Sequence, residues 1–212
     1  MNNSTCTPQK RAQGSLFVIA APSGAGKTSV LNAVHQKNPK LRRVITTTTR
    51  PMRANEVDGQ DYYFLSRKAF EQKIAEGAFA EHAVVFGNLY GTTHAAMREA
   101  FQDDIPATSI LDVQGAASLK QTFPEVQTVF ILPPSARELR RRLSGRGSEA
   151  EDASQIRLNE SRKEIACAEI FDFIMVNDDF DTAVTELESI IFRGQARYSR
   201  EHMLATLVPS FL

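Results

Sequence analysis

Short runs of apolar residues alternate with amphipathic segments along most of this chain. The runs contain β-branched residues and are bounded by turn residues, a pattern that predicts buried strands. Four runs show it: "LFVIA", "ATSIL", "VQTVFIL" and "FDFIMV". Between them, apolar residues recur at helical spacing. Buried strands that alternate with helices predict an α/β fold, in which helices cover both faces of a parallel sheet.

Five segments carry the helical spacing. The first runs from Lys27 to about Lys37 and places its apolar residues on one face. In the second, Ser66 has the features of an N-terminal cap and Gly77 those of a stop. The other predicted helices cover residues 135–143, 154–170 and 182–198.

The segment from residue 43 to about 100 breaks this alternation. It is rich in threonine, then in turn residues, then in aromatic residues, which favours short extended pieces over a long helix. This interruption predicts a lobe inserted into the sheet domain. Residues 1–14 are polar and unpatterned, so we expect a flexible N-terminal tail.

The composition is that of an ordinary globular protein, with 42% hydrophobic and 24% charged residues. The 25 basic and 25 acidic residues balance, which argues against a nucleic-acid partner. Cys6 and Cys167 form no metal-binding pattern with the histidines, so we expect a reducing compartment and no disulfide. No apolar run approaches the ~18 residues that span a bilayer. These features predict a cytoplasmic protein without a membrane partner.

The stretch "APSGAGKTS" after the first strand nearly matches the phosphate-binding pattern G-x-x-x-x-G-K-[ST]. Gly26, Lys27 and Thr28 fit, whereas Ala21 replaces the first glycine at the strand end, where a methyl group need not block the loop. A strand–loop–helix turn aims backbone N–H groups at one point, and the helix N-terminus adds positive charge. We interpret the stretch as a phosphate cradle, in which Lys27 reaches the terminal phosphates and Thr28 holds Mg²⁺. An ordinary Gly/Ser turn is the alternative.

Candidate binding residues also stand elsewhere in the chain. Asp112 follows a separate buried strand, where a carboxylate orients a Mg²⁺-bound water or simply ends the strand. In "TRPMR", Arg50 and Arg53 can grip one phosphate dianion with two guanidinium forks, although paired loop arginines are also common on solvated surfaces. Tyr62 and Tyr90 offer hydroxyl donors or fill the core.

Taken together, these motifs resemble the guanylate kinase family over nearly all of residues 15–208. The matching stretches occur in the family's order: "APSGAGKTS", "TTTTRPMRANEVDGQDYYF", "FAEHAVVFGNLYGTT", "DVQGA", "ILPPSARELRRRLSGRG" and "VNDDFD". The resemblance implies transfer of the γ-phosphoryl group of ATP to GMP, with Mg²⁺ as cofactor. It also implies a P-loop NTPase-type parallel sheet core, an inserted GMP-binding lobe and a mobile lid. The implied bounds are 15–42, 105–134 and 171–208 for the core, about 43–104 for the lobe and about 135–170 for the lid.

The resemblance assigns site residues position by position. It implies a GMP site formed by Thr46, Arg50, Arg53, Tyr62, Glu81, Tyr90, Thr92, Asp112 and Arg157. The implied ATP site is Ala21, Pro22, Ser23, Gly24, Ala25, Gly26, Lys27, Thr28, Ser29, Arg146 and Asn177. The implied catalytic residues are Lys27, Arg142, Arg146 and Arg157, and the implied metal site is Thr28 and Asp112. Guanine presents two parallel donors, N1–H and the amino group, that one carboxylate such as Glu81 accepts together.

One departure from the family pattern leaves alternatives open. Ile110 stands where the family often has an acidic residue, which puts metal affinity or turnover in doubt. A guanylate-kinase-like binding module without activity and a sugar-phosphate kinase of the same fold are therefore the competing hypotheses. The intact Lys27, Thr28, Arg146 and Arg157 argue against the first. The sequence leaves the oligomeric state open between monomer and homodimer.

Overall fold

A computed structural model describes residues 15–54, 56–85, 87–102, 104–144 and 151–212. Its centre is a five-stranded parallel sheet with the strand order β2-β7-β1-β8-β9. The strands are β1 (Leu16–Ala20), β2 (Arg42–Arg43), β7 (Ala107–Ile110), β8 (Gln127–Leu132) and β9 (Phe173–Val176). The predicted parallel sheet is confirmed. The four apolar runs of the sequence form β1, β7, β8 and β9.

Helices cover both faces of this sheet. Alternate residues of β1 pack on opposite faces of the sheet, because successive side chains of a strand point to opposite faces. Phe17 and Ile19 pack with helices α1 (Lys27–Lys37) and α7 (Phe180–Arg193), whereas Leu16 and Val18 pack with the helices on the other face. The helices are α1 (Lys27–Lys37), α3 (His94–Ala100), α4 (Val113–Thr122), α5 (Ala136–Ser144), α6 (Glu151–Ala166), α7 (Phe180–Arg193) and α8 (Arg200–Thr206).

The segment that interrupts the alternation forms a second, four-stranded sheet with the order β4-β3-β6-β5. Its strands are β3 (Thr47–Thr48), β4 (Tyr63–Phe64), β5 (Phe79–Val85) and β6 (Asn88–Thr93). Strand β3 runs parallel to β4 and antiparallel to β6, and β6 pairs antiparallel with β5. Helix α2 (Arg67–Ala75) covers the sheet by stacking Phe70 on Phe79, with ring centroids 4.3 Å apart.

The ends of α2 follow the sequence signals. The Ser66 hydroxyl accepts a hydrogen bond from the Ala69 backbone N–H, which satisfies one of the free donors at the helix start. Gly77 has φ +64°, in the left-handed region that ends many helices. The predicted cap and stop are confirmed.

The C-terminal part differs from the prediction. Helix α7 ends at Arg193, capped by Gly194 with φ +66°, and not at about residue 198. Ser199 then caps α8, which the sequence analysis missed. Helix α6 begins at Glu151, earlier than the predicted residue 154, and is followed by a 3-10 helix at Ala168–Ile170. At the end of α7 and the start of α8, local capping signals at Gly194 and Ser199 override apolar periodicity that continues past them.

Gly91 lies inside β6, opposite His82 of β5. A Cβ atom on Gly91 would lie 2.9 Å from the Glu81 carbonyl oxygen and 2.9 Å from the Phe79 ring. The β5 strand is irregular between these two residues. The missing side chain therefore lets β5 approach β6 at the point that carries Glu81.

We expect Gly91→Ala to lower the free energy of unfolding by about 1–3 kcal/mol, because the added methyl group overpacks the β5–β6 contact. Both neighbours are held, one as backbone and one as a buried ring, so neither can move aside cheaply. Urea unfolding of the variant and the wild type measures the difference. A change under about 0.5 kcal/mol, the size of an ordinary surface substitution, would contradict the overpacking argument.

Candidate active site

The loop between β1 and α1 has the backbone conformation of a phosphate cradle. Gly24 and Gly26 have φ +85° and +89°, values that residues with a Cβ rarely adopt. Gly26 is the N-cap of α1, and this N-cap residue makes no side-chain hydrogen bond to the first turn of the helix. The first N–H groups of α1 are thus left for a ligand, at the positive end of the helix dipole.

Lys27 extends from this loop towards the end of β7. Its Nζ donates a hydrogen bond to the Leu111 carbonyl oxygen at 3.2 Å. Burial lowers the pKa of Lys27, and the nearby carboxylates of Glu164 and Asp112 only partly oppose this shift. A desolvated cation at the mouth of the loop suits a phosphate anion, since electrostatic attraction is stronger outside bulk water. Thr28 is exposed at the start of α1.

The loop is supported from behind by two distant side chains. Asn177 is buried and donates from Nδ2 to the Ala25 carbonyl oxygen at 2.8 Å. A Cβ on Gly26 would lie 2.5 Å from that same Nδ2, so this position needs glycine. Arg142 donates to the carbonyl oxygens of Ala25 and Asn177 at 3.4 and 3.2 Å. The predicted nucleotide contacts of Asn177 and Arg142 stay predictions; the contacts described here hold the loop in shape.

Glu164 on α6 faces the same loop, although no motif in the sequence marks this residue. The Ser23 backbone N–H donates to Glu164 Oε2 at 3.4 Å, across 141 residues of sequence. Burial raises the pKa of Glu164, and attraction to Lys27 opposes the rise. No spacing or motif in the sequence could reveal a contact this distant along the chain.

A second group of residues surrounds the Glu81 carboxylate on β5. Glu81 is only 5% exposed, and the Thr92 hydroxyl of β6 donates to its Oε1 at 2.7 Å. Thr46, just before β3, is buried as well. Burial raises the pKa of Glu81 to about 7, with the Thr92 hydrogen bond opposing the rise and Asp112 adding to it. The result is a buried carboxylate with one oxygen aligned by a hydroxyl group.

The lobe meets the sheet domain at this carboxylate. Asp112 caps α4, where its Oδ1 accepts a hydrogen bond from the Gly115 N–H at 2.6 Å. A Cβ on Gly115 would lie 3.1 Å from Asp112 Oδ1 and 3.1 Å from Glu81 Oε2. Gly115 therefore leaves room for both carboxylates at the start of α4. The positive end of the α4 dipole favours negative charge on these carboxylates.

A third group contains the predicted phosphate-gripping residues. The Arg50 guanidinium lies over the Tyr62 ring at 5.5 Å, and the Tyr62 and Tyr90 ring centroids are 6.0 Å apart. Arg50 is largely buried, with 14% of its side chain exposed, whereas Arg53 is 66% exposed. Between the two arginines lies the Glu56 carboxylate, which the sequence analysis did not single out. The structure thus brings Arg50, Tyr62 and Tyr90 together and leaves Arg53 at the rim.

Comparison with known proteins agrees with this geometry. A family model described as guanylate kinase matches residues 13–194. The chain belongs to the guanylate kinase family. A guanylate kinase of Syntrophotalea carbinolica is 45% identical over 190 residues, covering 90% of this chain and 90% of that protein. A guanylate kinase of Hydrogenovibrio crunogenus is 41% identical over 189 residues, covering 89% of this chain and 92% of that protein.

A solved guanylate kinase also shares the fold. The crystal structure of guanylate kinase from Anaplasma phagocytophilum matches with a TM-score of 0.71 and 28% sequence identity. The match covers 92% of this chain and 96% of that one. The family prediction and the predicted fold class, a parallel sheet core flanked by helices, are both confirmed.

Three further parts of the sequence prediction can be compared with the structure. Arg146 and the tail of residues 1–14 lie outside the described residues. Arg157 is half-buried on α6, the helix that also carries Glu164. Ile110, the departure from the family pattern, packs into the apolar cluster on the α1 and α7 side of the sheet. Its side chain is partly buried there, and its effect on turnover stays a prediction.

Neither a metal-binding cluster nor a membrane-spanning helix is found in the described ranges. Within them, no three histidine, cysteine, aspartate or glutamate side chains group closely enough to hold a metal ion by themselves. In the same ranges, no helix combines the length and apolarity needed to cross a membrane.

Proposed function

We propose that this chain transfers the γ-phosphoryl group of ATP to GMP and releases ADP and GDP. The observation that carries the proposal is the buried Glu81 carboxylate, aligned by Thr92 beside the start of α4. A carboxylate in this setting accepts the N1–H and the amino group of guanine together. Adenine has no N1–H and would leave one buried carboxylate oxygen without a donor, which costs binding free energy.

The acceptor phosphate would bind to Arg50, Tyr62 and Tyr90, with Arg53 closing from the rim. Arg50 is aligned by its contact with the Tyr62 ring, and both tyrosine hydroxyls lie in the same cluster. An arginine fork with neighbouring hydroxyl donors matches the geometry of a phosphate dianion. The proposed GMP site therefore has a base end at Glu81 and a phosphate end at Arg50.

The reaction needs no general base from the protein. The GMP phosphate has a second pKa of about 6, so near pH 7 it is mostly dianionic and attacks directly. One of its oxygens bonds to the γ-phosphorus while the bond from that phosphorus to the β–γ bridging oxygen breaks, and ADP leaves. Catalysis then rests on positioning and on charge stabilisation by Lys27 and the loop N–H groups. Arg142, Arg146 and Arg157 are proposed to neutralise charge on the transferred group.

The proposed cofactor is Mg²⁺, held by Thr28 and Asp112. Both side chains offer the oxygen ligands that this ion prefers. Asp112 accepts the helix-cap hydrogen bond with Oδ1, so its other carboxylate oxygen could bind the ion through a water molecule. Bound there, Mg²⁺ would neutralise phosphate charge. The small-molecule partners are then GMP and MgATP, and we propose a cytoplasmic location.

A coupled assay of ADP release tests the proposal. The protein is given MgATP with GMP, dGMP, AMP, UMP, CMP, a sugar phosphate or no acceptor. Release that depends on a guanine nucleotide is expected. ATP binding without release for any acceptor would favour the inactive binding module, and release with the sugar phosphate but not with GMP would favour the other kinase hypothesis.

A further inference from the structure

Glu56 lies between the two arginines of the proposed phosphate end and contacts both of them. Its Oε1 and Oε2 accept hydrogen bonds from Arg50 Nη2 at 2.7 and 3.0 Å. Its Oε2 also accepts the Arg53 backbone N–H at 2.8 Å, and the Arg53 guanidinium is 3.9 Å from Oε1. One carboxylate thus links the arginine in the cluster to the arginine at the rim.

The Glu56 side chain is well placed to fix this part of the lobe. Only 12% of it is exposed, and the Glu56 backbone N–H donates to the Arg53 carbonyl oxygen at 3.1 Å. Arg53 and Glu56 are therefore joined by one backbone hydrogen bond and one hydrogen bond to the Glu56 side chain. Burial favours the neutral acid, but hydrogen bonds from Arg50 and Arg53 outweigh it, so the pKa of Glu56 lies below its usual value and the carboxylate is charged at neutral pH.

Arg50 is held from three directions. Its Nη2 bonds to Glu56, its Nη1 donates to the Pro51 carbonyl oxygen at 2.7 Å, and its guanidinium face lies over Tyr62 and Phe64 at 5.5 and 5.7 Å. Tyr90 is a further side-chain hydrogen-bond partner of Arg50. Because a guanidinium carries five N–H donors, a fork held this way still has donors for a second anion.

Two effects of Glu56 on a bound phosphate oppose each other. Its negative charge repels the phosphate, whereas its hydrogen bonds remove the rotamer freedom that a long arginine side chain would lose on binding. We infer that the loss of rotamer freedom before binding is the larger effect. Glu56 bonds to Arg50 with both carboxylate oxygens in a buried position, and it also bonds to the Arg53 backbone. Pre-organised arginines bind with a smaller entropic cost.

We propose that Glu56 is a positioning residue for the acceptor phosphate, which holds Arg50 and the Arg53 backbone in the binding arrangement. This inference rests on the proposed function, because it assigns a role within the same acceptor site. The role predicts a selective defect: binding of the GMP phosphate weakens while binding of the guanine base does not change.

The test compares Glu56→Ala and Glu56→Gln with the wild type. We measure kcat and KM for GMP in the ADP-release assay, and the dissociation constant of guanosine, which has no phosphate. Glu56→Ala is expected to raise KM for GMP about 10- to 100-fold, the range for hydrogen bonds to charged groups, with kcat within about threefold. Glu56→Gln keeps one acceptor oxygen and is expected to show a smaller rise. Guanosine binding is expected to stay unchanged in both.

Glu71→Gln provides the matched control. Glu71 pairs with Arg67 on α2 in the same lobe, but its side chain is 54% exposed. We expect wild-type constants for it. A lower KM for GMP in both Glu56 variants would show a competing carboxylate and overturn the proposal, as would an unchanged KM or an equal loss of guanosine binding. If the wild type itself transfers nothing to GMP, the proposed function fails instead.

Discussion

Replacing Lys27 with methionine is expected to lower kcat about 10³-fold. Methionine keeps much of the length of lysine but has no charge, so the loop keeps its shape and loses the cation at its mouth. Lys27 is the desolvated cation of the loop, and burial already lowers its pKa. Removal of one such charge-stabilising group from a transition state costs about 10²–10³-fold, and cations on a transferring phosphoryl group reach higher values. ADP release at saturating GMP and MgATP measures the effect.

Lys68→Met is the control for this prediction, because Lys68 is exposed on α2. It should keep wild-type kcat, and thermal unfolding should show both variants folded. A folded Lys27→Met protein with kcat within threefold of the wild type would remove Lys27 from the mechanism. The loop would then act through its backbone N–H groups alone.

Glu81→Gln is expected to lower kcat/KM for GMP by about 100-fold or more. The amide keeps one acceptor oxygen but turns an NH₂ donor towards the guanine amino group, so one buried pair of polar groups is left without a hydrogen bond. Thr92 can still donate to the remaining oxygen, which preserves the local packing. Guanosine and GMP should lose affinity equally, the opposite of the defect expected for Glu56.

The pKa of Glu81 adds a pH dependence to this prediction. The ionised carboxylate accepts both guanine donors, and the pKa of about 7 means that half of the free protein is protonated at that pH. Guanosine affinity should therefore fall about tenfold for each pH unit below 7 and level off above it. Guanosine avoids the phosphate titration of GMP near pH 6. In Glu81→Gln the slope between pH 5.5 and 7.5 should vanish; an equal slope would assign the titration to another group.

As the pH rises, the free energy of unfolding should fall while guanosine affinity increases. The folded state raises the pKa of Glu81 from 4.5 to about 7, so it holds the proton more tightly than the unfolded chain does. This tighter proton binding adds to the free energy of unfolding fully below pH 4.5, and the addition is lost as the pH rises through 7. The difference is about 3 kcal/mol. Glu81→Gln should thus be more stable than the wild type at pH 8. Urea unfolding at pH 5 and pH 8 measures both ends; equal stability at pH 8 would contradict the burial cost.

The sequence predicts the parts of the molecule that depend on neighbours in the chain. The phosphate loop could be predicted because its glycines, Lys27 and Thr28 stand together between a strand and a helix. The buried strands could be predicted from short apolar runs. Glu81 itself carries no local signal, and its assignment depended on the resemblance to a family. The structure adds what makes it suitable: burial, and the Thr92 hydroxyl on the neighbouring strand.

The contacts that sequence reasoning missed are of two kinds. Glu164 and the loop-supporting contacts of Asn177 join residues more than 100 positions apart, and only the folded sheet brings them together. Glu56 is close to Arg50 in sequence, but the turn-rich stretch around it has no period from which side-chain directions follow. An acidic residue near two arginines is a weak signal there, because such pairs are common on solvated surfaces.

The long-range supports of the phosphate loop set an order of events during protein synthesis. A ribosome adds about 5–20 residues per second, so Asn177 follows Thr28 by roughly 7–30 s. Until then the nascent chain has the loop sequence but lacks the amide that holds the Ala25 carbonyl oxygen. Nucleotide binding is therefore a late event for each newly made chain, and a polypeptide that terminates before residue 177 lacks a support of its phosphate site.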